Sequence, residues 1–197
     1  MGKRLLDIIG SIVGLFLLLP LLLGAAIAIK LSSPGPVLFC QKRYGRGGEL
    51  ITVYKFRTMK IASGDVSGVK QTVKNDPRIT RVGAFLRRTS IDELPQLLNV
   101  LLGTMSIVGP RPHVPNMIAV GMRYEDFDSR YMQRCDVAPG ITGLAQVKGF
   151  RGETSSEVAA RKRLEFDLEY IRTRSIGMDL KIILATLRNE FLNGSGY

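Results

Sequence analysis

Asp92 and Glu93 are adjacent carboxylates, and Arg87 and Arg88 lie just upstream of them. Acids beside arginines can make a phosphate site. Guanidinium forks and free helix N–H groups hold phosphate oxygens, while a carboxylate can attack phosphorus or hold Mg2+. Lys55, Arg57 and Arg111 can add positive charge, and Arg111 stands on a loop stiffened by Pro110 and Pro112. The same two acids at a helix start would cap the helix and complement its dipole, so alone they fit both readings. Other chemistries are excluded. His113 is the only histidine, which rules out any mechanism needing two imidazoles. Cys40 and Cys135 are the only cysteines and lie far apart, so no disulfide scaffold and no structural zinc site can be built. The sequence contains no Walker-type lysine loop, no dinucleotide fingerprint and no Gly-x-Ser-x-Gly elbow.

The elements that must position these groups can be read from pattern. Ser90-Ile91-Asp92-Glu93 reads as a Ser-x-x-Glu capping box ahead of the apolar run Leu94 to Leu102. Pro95 fits that helix poorly if Ser90 is the cap, and better if Asp92 is. Asp76-Pro77 offers a helix start upstream, with a short helix over Val82 to Leu86. Val37 to Tyr44 and Leu50 to Thr58 read as two strands joined through Gly45, Gly47 and Gly48. Period two puts Tyr54 and Phe56 on one face of the second strand and Lys55 and Arg57 on the other. A long polar loop runs from about Ala62 to Asn75. Residues 103–112 and Pro139 to Gly143 read as loops, and Ser156 to Arg174 and Asp179 to Leu192 as amphipathic helices. The fold class expected is α+β: mainly helical, membrane-associated, with a short β-hairpin and C-terminal amphipathic helices at the interface.

The chain has 197 residues, a formal net charge of +11 and 45% hydrophobic residues, with a mean hydropathy of +0.11. That length suits one domain with an appendage. The charge asks for a polyanionic partner, yet a chain this apolar and lacking Trp does not read as a nucleic-acid binder. The apolar excess is local. Ile8 to Ile29 is a run of 22 residues without a charge, and at about 1.5 Å per residue a straight helix of that length spans the ~30 Å hydrocarbon core. Pro20, near its centre, would break it into two arms reaching ~14–18 Å each, about half the bilayer. Lys3 and Arg4 precede the run, and Lys30, Lys42, Arg43 and Arg46 follow it. Basic flanks on both sides fit a re-entrant helix-break-helix hairpin, and a kinked spanning helix is the alternative. The expected division is a membrane anchor over 1–31 and a cytoplasmic catalytic domain over 32–197. Basic residues next to the anchor would also grip anionic phospholipid.

The segments SPGPVLFCQKRYGRGG, YKFRTM, DPRITRVGAFLRRTSIDELPQLLNVLLGTMSIVGPRP and PGITGLAQVKGFRGET occur in this order. Together they resemble the bacterial sugar transferase family, the monotopic polyprenyl-phosphate hexose-1-phosphate transferases or phosphoglycosyl transferases. The resemblance covers residues 3 to about 190. It implies an enzyme held by a re-entrant helix on the cytoplasmic face of the bacterial inner membrane. It implies a UDP-sugar donor, a polyprenyl (undecaprenyl) phosphate acceptor, UMP release and a covalent phosphosugar-aspartyl intermediate, in the first membrane step of exopolysaccharide or other surface glycan synthesis. Asp92 and Glu93 occupy the catalytic dyad, Mg2+ is the implied cofactor, and Glu93 matches the metal-associated position. Lys55, Arg57, Arg87, Arg88, Arg111, Gln146 and Arg151 fall in the blocks expected to bind substrate.

Two departures qualify the resemblance. Many small members carry Asn-Gly-Arg after the PGITG block, where this chain has Lys148-Gly149-Phe150-Arg151-Gly152-Glu153, a variant more like glucose- or galactose-1-phosphate transferases of exopolysaccharide pathways. Larger members of that group carry four further membrane helices, so a minimal form is expected here. His113, directly after the Pro-Arg-Pro loop, fits an orienting role at the site or, better, a local structural hydrogen bond. A basic lipid- or RNA-gripping module and a metal-dependent diphosphate hydrolase are the rival readings. The acid dyad speaks against the first, and UMP release in lipid-independent turnover would mark the second.

Overall fold

The computed structural model describes residues 2–61, 76–151 and 156–193. The polar loop expected over Ala62 to Asn75 lies outside the described residues. The chain begins with α1 (Gly2–Ser32), followed by the antiparallel hairpin β1 (Leu38–Tyr44) and β2 (Leu50–Phe56), in register from Leu38 opposite Phe56 to Tyr44 opposite Leu50. Next come α2 (Arg81–Arg88), a single 3-10 turn over Ile91–Glu93 and α3 (Gln96–Leu102). Strand β3 (Ser106–Val108) leads into the Pro-Arg-Pro loop. A small hairpin, β4 (Ile118–Ala119) with β5 (Met122–Arg123), runs into α4 (Tyr124–Phe127). Strand β6 (Gly140–Thr142), α5 (Leu144–Val147), α6 (Glu157–Thr173) and α7 (Ile176–Asn193) complete the chain. The architecture is mixed helix and sheet, mainly helical, as expected.

Three local expectations are corrected. Asp76 does not start a helix. Its carboxylate accepts from Arg78, and α2 begins later, at Thr80, whose hydroxyl accepts from the Gly83 N–H. Ser90 is not an N-cap: it sits in the left-handed region at φ 54°, and its hydroxyl turns to Glu190 instead of to its own helix. Pro95, which lacks an N–H, becomes the residue before α3, so the dyad lies in a separate turn ahead of the helix. Third, the loops at 103–112 and 139–143 contain a parallel pair, β3 beside β6, with Ser106 opposite Gly140 and Val108 opposite Thr142. Glycines permit the approach. A Cβ on Gly109 would stand 2.6 Å from the Ala138 carbonyl oxygen, and side chains at Gly140 and Gly143 would strike the Gly109 backbone.

The break expected at Pro20 is not present: α1 runs through it as one helix, with Pro20 lacking only its own N–H donor. Its packed positions follow a helical stripe of Asp7, Ser11, Gly14, Leu18, Leu22, Ala25 and Ile29, while the other face is exposed and apolar. Both ends of that stripe touch the rest of the protein. Asp7 accepts from the Ser106 hydroxyl and the Ile107 N–H; Ala25 and Ile29 join Phe56 and Leu86 in one core cluster. The first residues of α1 are used in the same way. Lys3 pairs with the buried Asp179 carboxylate at 2.8 Å and donates to the Val108 carbonyl, and Arg4 caps the last carbonyls of α3 at Val100 and Leu101. Lys3 and Arg4, expected beside lipid, therefore serve the protein's own acceptors.

Candidate active site

The dyad is fixed by β2, α3 and the Pro-Arg-Pro loop. The Asn99 side chain on α3 accepts from the Tyr54 N–H and donates to the Thr52 carbonyl, acting as a strand partner for β2. This sets Lys55 opposite Glu93, with Nζ 2.8 Å from Oε1. Arg111 reaches the same carboxylate from the loop as a bidentate fork, Nη2 to Oε1 at 2.5 Å and Nη1 to Oε2 at 3.0 Å. Arg151 adds a fourth contact, Nη2 to Oε2 at 3.3 Å. A carboxylate offers about four lone-pair sites, so Glu93 is saturated by cationic donors. Burial alone would push its pKa up, but Arg111 and Lys55 overrule that and hold the carboxyl well below the usual range.

Asp92, next to it, behaves in the opposite way. Burial first and the Glu93 charge second raise its pKa to about 6, against the pull of Lys55, Arg87 and Arg111. It is still mostly ionised at neutral pH, and more basic than an ordinary aspartate. Lys55 is lowered to about 8, chiefly by burial, with Glu93 opposing. The two acids are thus set apart: Glu93 is the fixed anion that gathers cations, and Asp92 is the more basic carboxylate of the pair.

The Pro-Arg-Pro loop is held from several sides. Arg43 on β1 donates to the Pro112 carbonyl, and the Tyr44 N–H donates to the His113 carbonyl. From the other side Arg134 donates to the Arg111 carbonyl at 2.9 Å while pairing with Asp167 on α6 at 2.6 Å, both side chains buried. His113 is buried between Tyr124 and Tyr131, and its Nδ1 lies 3.0 Å from the Tyr131 hydroxyl. Burial, with nearby Arg134, keeps its pKa well below the usual value, so the ring is neutral and structural.

Of the residues expected at the site, the structure brings Asp92, Glu93, Lys55, Arg111 and Arg151 together, with Arg87 near enough to act on Asp92. Arg57 is placed elsewhere. It is buried, and its guanidinium is taken by the Ser33 and Pro34 carbonyls at the turn after α1. Arg88 is exposed and stacks over the Phe85 ring. Gln146 donates to the Ile141 carbonyl, and its buried Oε1 finds no partner among the described residues. Sequence reading missed Arg43, Arg134, Asp167 and Glu190, which act through tertiary contacts that leave no local spacing. Gln96 was missed too. It is fully buried three residues after Glu93, with its amide nitrogen unpartnered among the described residues.

Comparison with known proteins gives this arrangement a context. The chain is 55% identical over 195 residues to the exopolysaccharide production protein PSS of Rhizobium leguminosarum bv. phaseoli, covering 99% of this chain and 98% of that one. It is 52% identical to the UDP-glucose:undecaprenyl-phosphate glucose-1-phosphate transferase of Escherichia coli, of which it spans 41%. It is 40% identical to the UDP-N-acetylgalactosamine-undecaprenyl-phosphate N-acetylgalactosaminephosphotransferase of Aeromonas hydrophila, spanning 44% of it. Residues 1–193 match the family described as bacterial sugar transferase, and a match over nearly the whole length, with the dyad set in its cage of cations, means that the chain belongs to the bacterial sugar transferase family.

Proposed function

We propose that this protein transfers glucose 1-phosphate from UDP-glucose to undecaprenyl phosphate and releases UMP, in an early membrane step of exopolysaccharide synthesis. The observation that carries the reading is the pairing of a caged, buried Glu93 with a half-buried Asp92 of raised pKa, with no neighbouring imidazole needed. Glucose is favoured over an N-acetylated sugar because the relative named for UDP-glucose is more similar to this chain than the relative named for UDP-N-acetylgalactosamine.

In this mechanism Asp92 attacks the sugar-linked phosphorus of the donor. The bond from that phosphorus to the bridging oxygen breaks, and UMP leaves with the oxygen and its electron pair. The polyprenyl phosphate oxygen then attacks the same phosphorus, the aspartyl bond breaks, and Asp92 returns as a carboxylate. Both nucleophiles are already anionic, so no base has to remove a proton. Lys55, Arg111 and Arg151 offset the negative charge of the diphosphate, which would otherwise repel Asp92.

The dyad also fits Mg2+, which takes one or two carboxylates together with substrate phosphates. Glu93 would hold the ion by giving up a share of its contacts with Arg111, Lys55 or Arg151, of which the Arg151 contact is the longest. When bound, the ion supplies further charge neutralisation on the diphosphate.

Helix α1 supports the membrane part of the reading. A helix that crosses a bilayer has one end on each side, and a domain on one side can touch only one end. Here Lys3 and Asp7 at one end and Ala25 and Ile29 at the other pack on the same body. We therefore read α1 as re-entrant on the cytoplasmic face of the inner membrane, a monotopic arrangement. On α7, Ile176, Leu180, Leu184 and Leu187 are exposed at helical spacing and would lie at the interface.

The test is to incubate the protein with UDP-glucose, Mg2+ and undecaprenyl phosphate and follow UMP and the lipid product. Lipid-dependent turnover to UMP and a lipid-linked sugar diphosphate is expected, with no more than one UMP per enzyme when lipid is left out, and Asp92→Asn should abolish both. Continued UMP turnover without lipid would point to a hydrolase, and persistent transfer in Asp92→Asn would end the covalent scheme.

A further inference from the structure

Arg151 touches Glu93, yet no helix or strand carries it. It lies two residues past Gly149, at φ 87°, and side chains fix its guanidinium. Nη1 donates to the Ser90 hydroxyl and to Glu190 Oε1, both at 2.9 Å, and Nη2 reaches Glu93 at 3.3 Å. The Ser90 hydroxyl in turn stands 3.2 Å from both Glu190 oxygens. Ser90 is held at a φ that favours glycine, two residues before Asp92, and its carbonyl accepts the Glu93 N–H. One carboxylate near the end of α7 therefore grips both a cation of the Glu93 cage and the strained residue that opens the dyad's turn.

Without Glu190, the acid left paired with Arg151 among the described residues would be Glu93, and a guanidinium facing one carboxylate closes on it as a two-bond fork. Glu93 already accepts from Lys55 and from both ends of Arg111, so a closing Arg151 would displace that arrangement. Glu190 prevents this by dividing the fork, one nitrogen on each acid. We propose that Glu190 is a positioning residue for the transfer reaction: it sets Arg151, and through Ser90 the dyad's turn, in the geometry that presents Asp92 to the donor's sugar-linked phosphorus. It works from the far end of the chain, so α7 completes the site as well as packing the fold. The inference rests on the functional reading above and adds to it a residue that acts through others.

The experiment compares UDP-glucose-dependent transfer in wild type, E190A, E190Q, R151A and E190A/R151A, with thermal unfolding of each. E190A should lower kcat/KM for UDP-glucose about tenfold, while E190Q, whose amide oxygen still accepts from Arg151 and Ser90, should stay within about threefold of wild type. In the R151A background, E190A should cost less than about threefold, because only the longer Ser90 contact is then left for Glu190 to act through. A structural tether would instead lower Tm in E190A and cost the same factor whatever stands at 151. Wild-type kcat/KM in E190A, an E190Q loss as large as that of E190A, or an undiminished cost in the R151A background would each overturn the inference. If R151A shows no transfer, the contrast between E190Q and E190A decides. A wild type that forms no lipid-linked product would overturn the functional reading and this inference with it, whereas an active wild type with an indifferent E190A would overturn the inference alone.

Discussion

At the scale of residues, the opposite pKa shifts of the two adjacent acids predict a pH profile. In the proposed mechanism Asp92 attacks only as a carboxylate, so the competent fraction should fall as pH drops through about 6. Lys55 loses its charge as pH rises through about 8, which leaves the buried Glu93 with one cation fewer. The kcat/KM for the donor should therefore peak between these values and decline on both sides. Lys55→Arg keeps its charge at alkaline pH, so it should retain the acid limb and lose the alkaline one; an unaltered alkaline limb would mean that another group sets it. The dyad itself was legible in the sequence through the specific segments around it, since the two acids alone fit a helix start equally well. The placement of the basic residues was less so. Period two put Lys55 and Arg57 on one face of β2, but Lys55 meets Glu93 while Arg57, at the end of the strand, is captured by two carbonyls of the turn after α1. Spacing reports which residues share a face, and not which acceptors the rest of the chain brings to it.

At the scale of elements, the site depends on α6, which touches none of the reacting groups. Asp167 holds Arg134, and Arg134 holds the backbone of Arg111. Removing one member of a buried pair leaves the other charge without compensation, so Asp167→Ala should cost roughly 3–5 kcal/mol of stability. Replacing both with apolar residues of similar size removes that penalty, since a buried ion pair is worth little against good packing. In Arg134→Met/Asp167→Leu, stability by denaturant unfolding should recover while kcat/KM stays low, because the Arg111 carbonyl has lost its donor. Recovery of both would show that the pair serves only the core. The element pattern was legible where periodicity is long, as in α6 and α7, and along the hairpin. It failed where backbones meet through glycine. Nothing local marks residues 106–108 and 140–142 as partners, because their pairing comes from the contact at Gly109 and Gly140. The expected capping box failed for a related reason: a distant acid on α7 competes for the Ser90 hydroxyl.

At the scale of the whole molecule, the question is how a chain with a long apolar helix meets a bilayer. Helix α1 leaves large side chains such as Phe16 and Leu17 exposed, at 76% and 68%, and a run of this kind in water forgoes about 1.5–3 kcal/mol per side chain. An apolar phase on that face removes the cost. Its other face is fastened along its length to the body that holds the dyad, and Ile29 is among the most buried residues of the protein. The sequence divides naturally at residue 31 into anchor and domain, yet the packing makes α1 part of the core that sets β3, and β3 runs directly into the Arg111 loop. A crossing helix would have to detach one of its ends from that core, giving up either the Lys3–Asp179 pair with the Asp7 contacts or the Ala25–Ile29 packing. The two topologies differ in a way that can be read directly. With Cys40 replaced by serine and Cys135 buried, single cysteines introduced as Gly2→Cys and Ser32→Cys report the two ends of α1. In inside-out membrane vesicles a membrane-impermeant thiol reagent should label both, and in intact spheroplasts neither. Labelling of the two positions from opposite sides would refute the re-entrant arrangement, and the contacts at one end of α1 would then have to open in the membrane.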